Sequence, residues 1–201
     1  MKLALCLPGA TFTKGFVESI MQVTAKIMMW PKGSAVFQIT DYSADLYNLK
    51  NTMIDKALAH GADYLMWIDS DMVFKAEDIE KLLSREVDIV SGIALIEPGR
   101  CAIANVSDDK LKPIYLTPDK ITDDKLHAVD YCGGAFLLVK ADVYRKIPAL
   151  WYETINVEIN GKQRLVSEDF GFCEKAQSYG YKIHADYSVK VGHEKRTILW
   201  P

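Results

Sequence analysis

Two aspartates one residue apart follow a run of apolar residues in the first half of the chain. The run, Tyr64–Ile68, contains no charged residue and predicts a strand buried on both faces, as in a parallel sheet. Asp69 and Asp71 then stand at its carboxyl end, where open α/β sheets bind their ligands. Carboxylate oxygens suit Mg²⁺ or Mn²⁺, which proteins commonly share with substrate phosphates. The spacing therefore predicts a metal–diphosphate site, and the alternative is a simple turn or helix cap.

A second pair of acids lies where a helix is predicted to begin. Ser167 is suited to the N-cap, and Glu168 and Asp169 fall in the first turn, where the helix dipole favours carboxylates. Capping alone would explain this pair. His193 follows the last predicted strand and could bring an imidazole to the same edge of the sheet. A lone His more often makes a surface hydrogen bond, so its role as a ligand depends on the upstream aspartates.

Strand and helix patterns alternate along the chain, which indicates an α/β fold with a mostly parallel central sheet flanked by helices. The predicted strands are Leu3–Leu7, Ala35–Thr40, Tyr64–Ile68, Val87–Val90, Cys101–Val106, Pro113–Leu116, a region within Ala128–Val139, and Tyr181–Val191. The predicted helices are Lys14–Met29, Ala44–His60, Lys75–Ser84, Ala141–Lys146 and Glu168–Tyr179. Trp151–Asn160 is predicted to be a loop or hairpin that turns at Asn160-Gly161. No repeat or linker interrupts the pattern, so a single domain over residues 1–201 is expected.

Composition narrows the class of protein. The chain has 201 residues, of which 49% are hydrophobic and 25% charged, as in an ordinary globular domain. The net charge of −3 and the lack of a basic run give no electrostatic basis for binding nucleic acid. The four cysteines are far apart and without metal-type pairing, which favours a reducing cytoplasm. No apolar run approaches the roughly 18 residues of a membrane helix, and the first apolar run is interpreted as a strand because Pro8-Gly9 ends it.

Together these features resemble the nucleotide-sugar-dependent glycosyltransferases of the GT-A fold, particularly family 2-like members. Asp69-Ser70-Asp71 matches the Asp-x-Asp motif that follows a hydrophobic strand, and Ser167-Glu168-Asp169 matches the Glu-Asp motif that opens a helix at the active site. The resemblance spans about residues 3 to 195. The further matches are Lys50-Asn51, Gly61–Tyr64, the strand Cys132–Val139 with Gly133-Gly134, Gly180-Tyr181 and the late His193.

The resemblance implies a single GT-A, Rossmann-like domain, with about residues 1–90 as the nucleotide-binding half and about 91–201 as the acceptor-side half. It implies metal-dependent transfer of a sugar from a nucleoside-diphosphate sugar to an acceptor hydroxyl, with Mn²⁺ or Mg²⁺ as cofactor. The acceptor is left open among a glycan, a protein and a small molecule, with modified DNA a more remote choice. Inversion or retention of configuration is also left open.

The resemblance also distributes roles among the residues. Asp71 and His193 would ligate the metal, and Asp69 would join the metal set or hold the ribose. Asp169 would be the general base, with Glu168 orienting the acceptor or substituting for it. The residues placed near the nucleotide or donor are Pro8, Gly9, Asp41, Lys50, Asn51, Asp69, Gly133 and Gly134. Each has a plainer structural explanation as a turn, a cap or a solvated helix face.

Two other interpretations fit the same residues. A haloacid-dehalogenase-like phosphatase would use Asp69 as nucleophile and Asp71 as acid, and Val73 is compatible with that pattern. A non-catalytic module would bind the nucleotide sugar without transferring it. Trp151 and Tyr152 could offer an aromatic face to a sugar, although core packing is the more common explanation for such a pair.

Overall fold

The computed structural model describes residues 1–106, 113–159 and 162–195. The helices are α1 (Lys14–Ile27), α2 (Leu46–Ala59), α3 (Ala76–Ser84), α4 (Ala141–Lys146) and α5 (Glu168–Ser178), with a 3-10 turn at Pro118–Lys120. The strands are β1 (Lys2–Pro8), β2 (Ala35–Asp41), β3 (Tyr64–Ile68), β4 (Met72–Val73), β5 (Ile89–Ile93), β6 (Leu95–Glu97), β7 (Arg100–Cys101), β8 (Ile103–Val106), β9 (Pro113–Tyr115), β10 (Leu126–Val129), β11 (Tyr131–Cys132), β12 (Phe136–Lys140), β13 (Ile155–Ile159), β14 (Lys162–Val166), β15 (Ile183–Lys190) and β16 (Gly192–His193).

A seven-stranded sheet in the order β10-β15-β5-β12-β3-β1-β2 forms the centre of the domain. Strands β1, β2, β3, β5 and β15 run in one direction, while β12 and β10 run against them. The predicted α/β class with a mostly parallel sheet is confirmed. Because β12 is inserted antiparallel between β3 and β5, the residues that precede β12 lie at the edge where β3 and β5 end. Gly133-Gly134 and Asp69 therefore meet at one edge of the sheet.

The sheet is covered on both faces, which explains its continuous apolar strands. Along β1, Leu3, Leu5 and Leu7 join one hydrophobic cluster, while Ala4 and Cys6 join the other. The first cluster includes residues of α1 and α3, and the second includes residues of α2, α4 and α5. The largest fully buried side chains of the second cluster are Trp67, Tyr144, Tyr152 and Phe172. All four cysteines are free and buried, as expected of core fillers.

Side-chain caps determine where the helices that carry the site begin. Asp45 accepts a hydrogen bond from the backbone N–H of Asn48 and starts α2 at Leu46, two residues later than predicted. Ser167 does the same for α5 through the N–H of Phe170. Gly61 has a φ of 71°, the left-handed conformation that ends a helix, as predicted for this position. These short-range signals were readable from the sequence because cap and helix are adjacent.

Several boundaries differ from the sequence prediction. The region Ala128–Val139 is three strands, β10, β11 and β12, interrupted by the turn at Gly133-Gly134. Helix α1 ends at Ile27 rather than Met29, and β5 is Ile89–Ile93 rather than Val87–Val90. The segment after Trp151 does form a hairpin, of β13 and β14, whereas its predicted turn at Asn160-Gly161 lies outside the described residues. No helix in the described ranges is both long and apolar enough to cross a membrane.

A buried ion pair ties α3 to β15. Asp186 has a fully buried carboxylate, which accepts hydrogen bonds from Arg85 at 2.7 and 3.1 Å and from the backbone and hydroxyl of Ser188. Burial raises the pKa of Asp186, but these hydrogen bonds and the Arg85 charge outweigh it, so the net pKa lies below the usual value near 4. A carboxyl with a lowered folded-state pKa stabilises the fold above its unfolded-state pKa. That contribution is lost as the pH falls through the folded-state value.

We expect Asp186→Asn to lower the free energy of unfolding at pH 7 by about 2 kcal/mol, because charged hydrogen bonds are lost at a buried position. The variant should also lose less stability than the wild type between pH 5 and pH 3. Urea unfolding at a series of pH values measures both effects. Asp88→Asn, which removes a partly exposed pair with Lys140, is the control and should change stability by less than about 1 kcal/mol. Equal acid sensitivity of Asp186→Asn and wild type would contradict the prediction.

Candidate functional site

The turn that contains the two aspartates is held from both sides. The backbone N–H of Asp69 donates to the carbonyl of Ala135 at 3.0 Å, which attaches the turn to the segment before β12. On the other side, Thr13 N–H donates to the carbonyl of Ser70 at 3.0 Å. A Cβ on Gly9 would lie 2.6 Å from Ser70 Cβ, so only glycine lets the loop after β1 approach this closely. Pro8 and Gly9 thus form a wall beside the turn.

Asp71 and His193 are brought together by a short pair of strands. β16 pairs antiparallel with β4, and His193 Nε2 lies 2.9 Å from Asp71 Oδ2. His193 Nδ1 lies 2.7 Å from the carbonyl oxygen of Leu95, which can only accept, so Nδ1 carries a proton. In the neutral imidazole the lone pair is then on Nε2, the arrangement found in metal-ligating histidines. Lys195 lies beside both groups, with its Nζ hydrogen-bonded to His193 Nε2 and 3.8 Å from Asp71 Oδ2.

The donor set matches an open metal site rather than a closed one. Within the described ranges, no group of three or more His, Cys, Asp or Glu residues is arranged to hold an ion. Asp71 and His193 supply two ligands, and Mg²⁺ and Mn²⁺ sites commonly take the others from substrate phosphates and water. The ammonium of Lys195 lies where the carboxylate of Asp71 and the imidazole of His193 converge. The residues therefore fit a divalent ion shared with a ligand.

Asp69 faces the same space from the other end of the turn. Burial raises the pKa of Asp69 to about 6, the Lys50 ammonium opposes that rise, and the nearby carboxylates of Asp169 and Asp71 add to it. Three acids therefore converge here, and the positive charge of Lys50 relieves part of their repulsion.

The second acid pair is fixed by a buried lysine from α2. The side chain of Lys50 is 3% exposed, and its Nζ lies 2.5 Å from Asp169 Oδ1 and 3.0 Å from Glu168 Oε1. The other oxygen of Asp169, Oδ2, accepts the backbone N–H of Gly134 at 2.9 Å. A Cβ on Gly134 would lie 3.0 Å from both Asp169 Oδ1 and Lys50 Nζ, so the glycine permits this close approach. Burial alone would lower the pKa of Lys50, but the surrounding carboxylates outweigh it and raise that pKa.

These groups open onto a cleft of about 200 Å³ at the carboxyl edge of the sheet. Its polar walls are Asp69, Asp169 and His193, and its floor includes Gly133 and Gly134. A second cleft of about 340 Å³ adjoins it along Leu95, Ile96 and His193. The volume of the first cleft lies below the range of small-molecule sites, about 300–1,000 Å³, and that of the second lies at its lower end; the two clefts share a wall.

No protein-family model matches the sequence, and no curated protein matches it. Solved structures do match over nearly the whole chain. A197 from STIV is 15% identical with a TM-score of 0.64, over 98% of this chain and 87% of that one. GalNAc-T7, solved with UDP, GalNAc and Mn²⁺, is 13% identical with a TM-score of 0.61, over 98% of this chain but only 44% of its own. The catalytic domain of Drosophila beta1,4galactosyltransferase 7, in complex with xylobiose, is 14% identical with a TM-score of 0.56, over 97% and 71%. The chain has the GT-A fold.

The GT-A domain gathers most of the predicted site residues, but not all of them. Six of them, Asp69, Asp71, Asp169, Gly133, Gly134 and His193, lie at or beside the cleft.

Asp41 ends β2, where its carboxylate accepts hydrogen bonds from the N–H of Tyr42 and the ammonium of Lys56, both at 2.8 Å. The hydrogen bond from Lys56 lowers the pKa of Asp41, which keeps this carboxylate charged. Asp41 and the Pro8-Gly9 wall are joined, because Gly9 N–H donates to the Asp41 carbonyl.

Asn51 has a different environment from the one predicted for a donor-binding residue. Its Nδ2 donates to the carbonyls of Tyr47 and Tyr152, and its Oδ1 accepts the N–H groups of Trp151 and Tyr152. All four hydrogen-bonding positions of the amide are therefore taken by backbone. The reason is that the chain after α4 folds back onto α2, where its buried backbone groups need partners. Asn51 anchors this segment and has no group left for a nucleotide.

The suggestion that Trp151 and Tyr152 stack on a sugar is wrong for this GT-A domain. Trp151 is 6% exposed and Tyr152 is fully buried, with the Tyr152 ring stacked on Phe172 at 4.7 Å between centroids. Trp151 Nε1 donates to backbone carbonyls of the α4 region. The aromatic side chain that does line the cleft is the half-buried Tyr131. It was missed because β11, which carries it, was predicted to be part of one longer strand.

The sequence also did not predict the contacts that Lys50 and Lys195 make. Lys50 was expected to face the donor, whereas its contacts are to acids more than a hundred residues away. Lys195 follows His193 by two residues and belongs to no recognisable pattern. Neither pairing leaves a signal in a single sequence, because it depends on tertiary contacts alone.

Proposed function

We propose that this chain is a metal-dependent glycosyltransferase that moves a sugar from a nucleoside-diphosphate sugar to an acceptor hydroxyl. The observation that carries the proposal is the convergence of the Asp71–His193 pair and the Asp169 carboxylate on one cleft. A cation–diphosphate site and a proton acceptor at one cleft are what such a transfer requires. GalNAc-T7 was solved with UDP and Mn²⁺, which makes UDP the first nucleotide to test.

Asp71 and His193 would hold Mn²⁺ or Mg²⁺, which when bound neutralises the charge that develops on the departing diphosphate. Asp69 lies beside them, in position to hold the ribose or a water molecule. In the transfer, the acceptor oxygen forms a bond to the anomeric carbon, and the diphosphate leaves with the electron pair of the broken carbon–oxygen bond. Asp169 receives the proton of the acceptor hydroxyl as general base.

Asp169 is suited to act as general base because its carboxylate is fixed and can still accept a further hydrogen bond or a proton. Its two oxygens are each used once, by Lys50 and by Gly134, and a carboxylate oxygen has two lone pairs. Glu168 is held by the same lysine but does not line the cleft among its described residues. We therefore assign the proton to Asp169 and give Glu168 a supporting role.

The phosphatase interpretation has less support than the transferase. Those enzymes usually have their nucleophile near the first strand of the domain, whereas Asp69 follows β3 in a sheet of GT-A topology. It would also leave the pairing of His193 with Asp71 and the converging acid pair without a role. A module that binds the donor without transfer keeps the same donor site, and only a turnover measurement separates it from an enzyme.

The metal–diphosphate site can be tested without knowing the acceptor. We expect calorimetry to show binding of UDP, or of another nucleoside diphosphate from a panel, that requires Mn²⁺ and disappears with EDTA. Asp71→Ala should weaken that binding by about 100-fold, since it removes one of two protein ligands. Asp124→Ala is the matched control because Asp124 also pairs with a lysine, Lys190, but lies outside the site, and it should bind as wild type does. Failure of wild type to bind any member of the panel, with or without metal, would exclude the proposed function.

A further inference from the structure

Lys50 has an unusual position for a lysine, because its ammonium is buried among the acids of the site. Burying an ammonium group costs several kcal/mol unless charges and hydrogen bonds compensate it. Here the compensation is complete: Asp169 Oδ1 and Glu168 Oε1 accept from Nζ, and the Tyr152 ring lies 4.8 Å away as a cation–π partner. Two of the three N–H groups of the ammonium are thus used by the acids, and the side chain is only 3% exposed, so Lys50 is poorly placed to reach a diphosphate.

We infer that Lys50 is a positioning residue for the acid pair Glu168-Asp169, and that it does not contact the donor. This inference rests on the proposed function, because it assigns Lys50 to the proton-accepting side of the cleft rather than to the diphosphate side. It replaces the donor-binding role that the sequence pattern predicts for Lys50.

The geometry shows how Lys50 would act through Asp169. Nζ holds Oδ1, and the N–H of Gly134 holds Oδ2, so the carboxylate is fixed at two points and cannot rotate. Catalytic groups work only when they are held to within about 0.5 Å of the productive position. Without the ammonium, Asp169 would keep a single tether. The contact with Lys50 is therefore needed to fix the carboxylate of Asp169.

The positive charge of Lys50 has a second effect on Asp169. The carboxylates of Asp69, Glu168 and Asp169 all act on the Lys50 ammonium. Removing that charge leaves these three acids without the cation between them, so their like charges repel one another. Asp169 would then move away from Asp69 and from the acceptor. The donor side would keep Asp71 and His193, which make no contact with Lys50 among the described hydrogen bonds.

The test compares donor binding with turnover in Lys50→Met and Lys50→Arg. Lys26→Met is the matched control, because Lys26 also pairs with two acids, Glu77 and Glu80, but is partly exposed and lines neither cleft. Calorimetry with UDP and Mn²⁺ measures donor binding, and release of UDP from a UDP-sugar, with water as acceptor, measures turnover. If Lys50→Met does not fold, the same two assays on Lys50→Arg test the inference.

We expect Lys50→Met to bind UDP–Mn²⁺ within about twofold of wild type while turnover falls about 10- to 100-fold at unchanged donor KM. Lys50→Arg should keep donor binding and restore part of the turnover, and Lys26→Met should change neither. Loss of donor binding in either Lys50 variant would overturn the inference, and so would unchanged turnover in Lys50→Met. A wild type that binds no nucleoside diphosphate of the panel and releases none from its sugars would instead exclude the proposed function.

Discussion

Asp169→Asn should lower the turnover of the protein by about 10³-fold without weakening its binding of UDP and Mn²⁺. An amide has nearly the size of a carboxylate and can still accept the N–H of Gly134, so the shape of the cleft is retained. It cannot take up a proton, and general-base catalysis typically contributes 10²- to 10⁴-fold. Lys50 keeps Glu168 as a partner, which limits the loss of stability. Release of UDP from a UDP-sugar measures the rate, and calorimetry measures the binding.

Asp142→Asn is the matched control for this experiment. Asp142 also lies in the first turn of a helix, α4, and also pairs with a basic residue, Arg145, but at the surface. The Asp142→Asn variant therefore shows how much turnover changes when any carboxylate at the start of a helix is lost. We expect its turnover to equal that of wild type. Turnover of Asp169→Asn within tenfold of wild type would show that another group takes the proton.

Gly171→Ala should destabilise the domain by about 2 kcal/mol, although alanine is the better helix former. Gly171 is buried within α5, two residues after Asp169, and a Cβ there would overlap the carbonyl oxygen of Glu153 and lie 3.2 Å from its carbonyl carbon. Helix propensity favours alanine by about 1 kcal/mol, but overpacking against backbone costs 1–3 kcal/mol or more, because a backbone group cannot change rotamer. The steric term therefore decides the sign. Urea unfolding measures the change.

Displacement of α5 should also impair the site, because the same helix carries Glu168 and Asp169. We expect Gly171→Ala to lose turnover as well as stability. Glu174→Ala, at an exposed position of α5, serves as the control and should change the free energy of unfolding by no more than about 0.5 kcal/mol. A Gly171→Ala variant more stable than wild type would show that the backbone of residues 153–155 moves aside at little cost.

The residues of the site that were predictable are those whose position depends on the end of an element. Asp69 and Asp71 follow an apolar run, Asp169 follows a serine cap, and His193 follows the last long strand. Because such ends gather at one edge of an α/β sheet, their types and order along the chain were enough to place them together. The fold was predictable for the same reason, since alternating strand and helix patterns allow few topologies.

The residues that were not predictable are those whose partners lie far along the chain. Asn51 and Lys50 sit on one helix, and both looked like donor-facing residues in the sequence. Their partners are the backbone at residues 151–152 and the acids at 168–169, about a hundred residues away or more. The antiparallel direction of β12 was hidden in the same way, because an apolar strand buried on both faces has the same composition in either direction.

The pairing of β16 with β4 has a consequence for how the candidate cation site is assembled. Asp71 and His193 are 122 residues apart, and the seven strands of the central sheet are complete at Lys190, before His193 is reached. Folding of the central sheet therefore does not by itself bring together the two groups that would hold the cation, because β16 must still pair with β4. A chain in which β16 is displaced from β4 would keep its seven-stranded sheet and lose this candidate site.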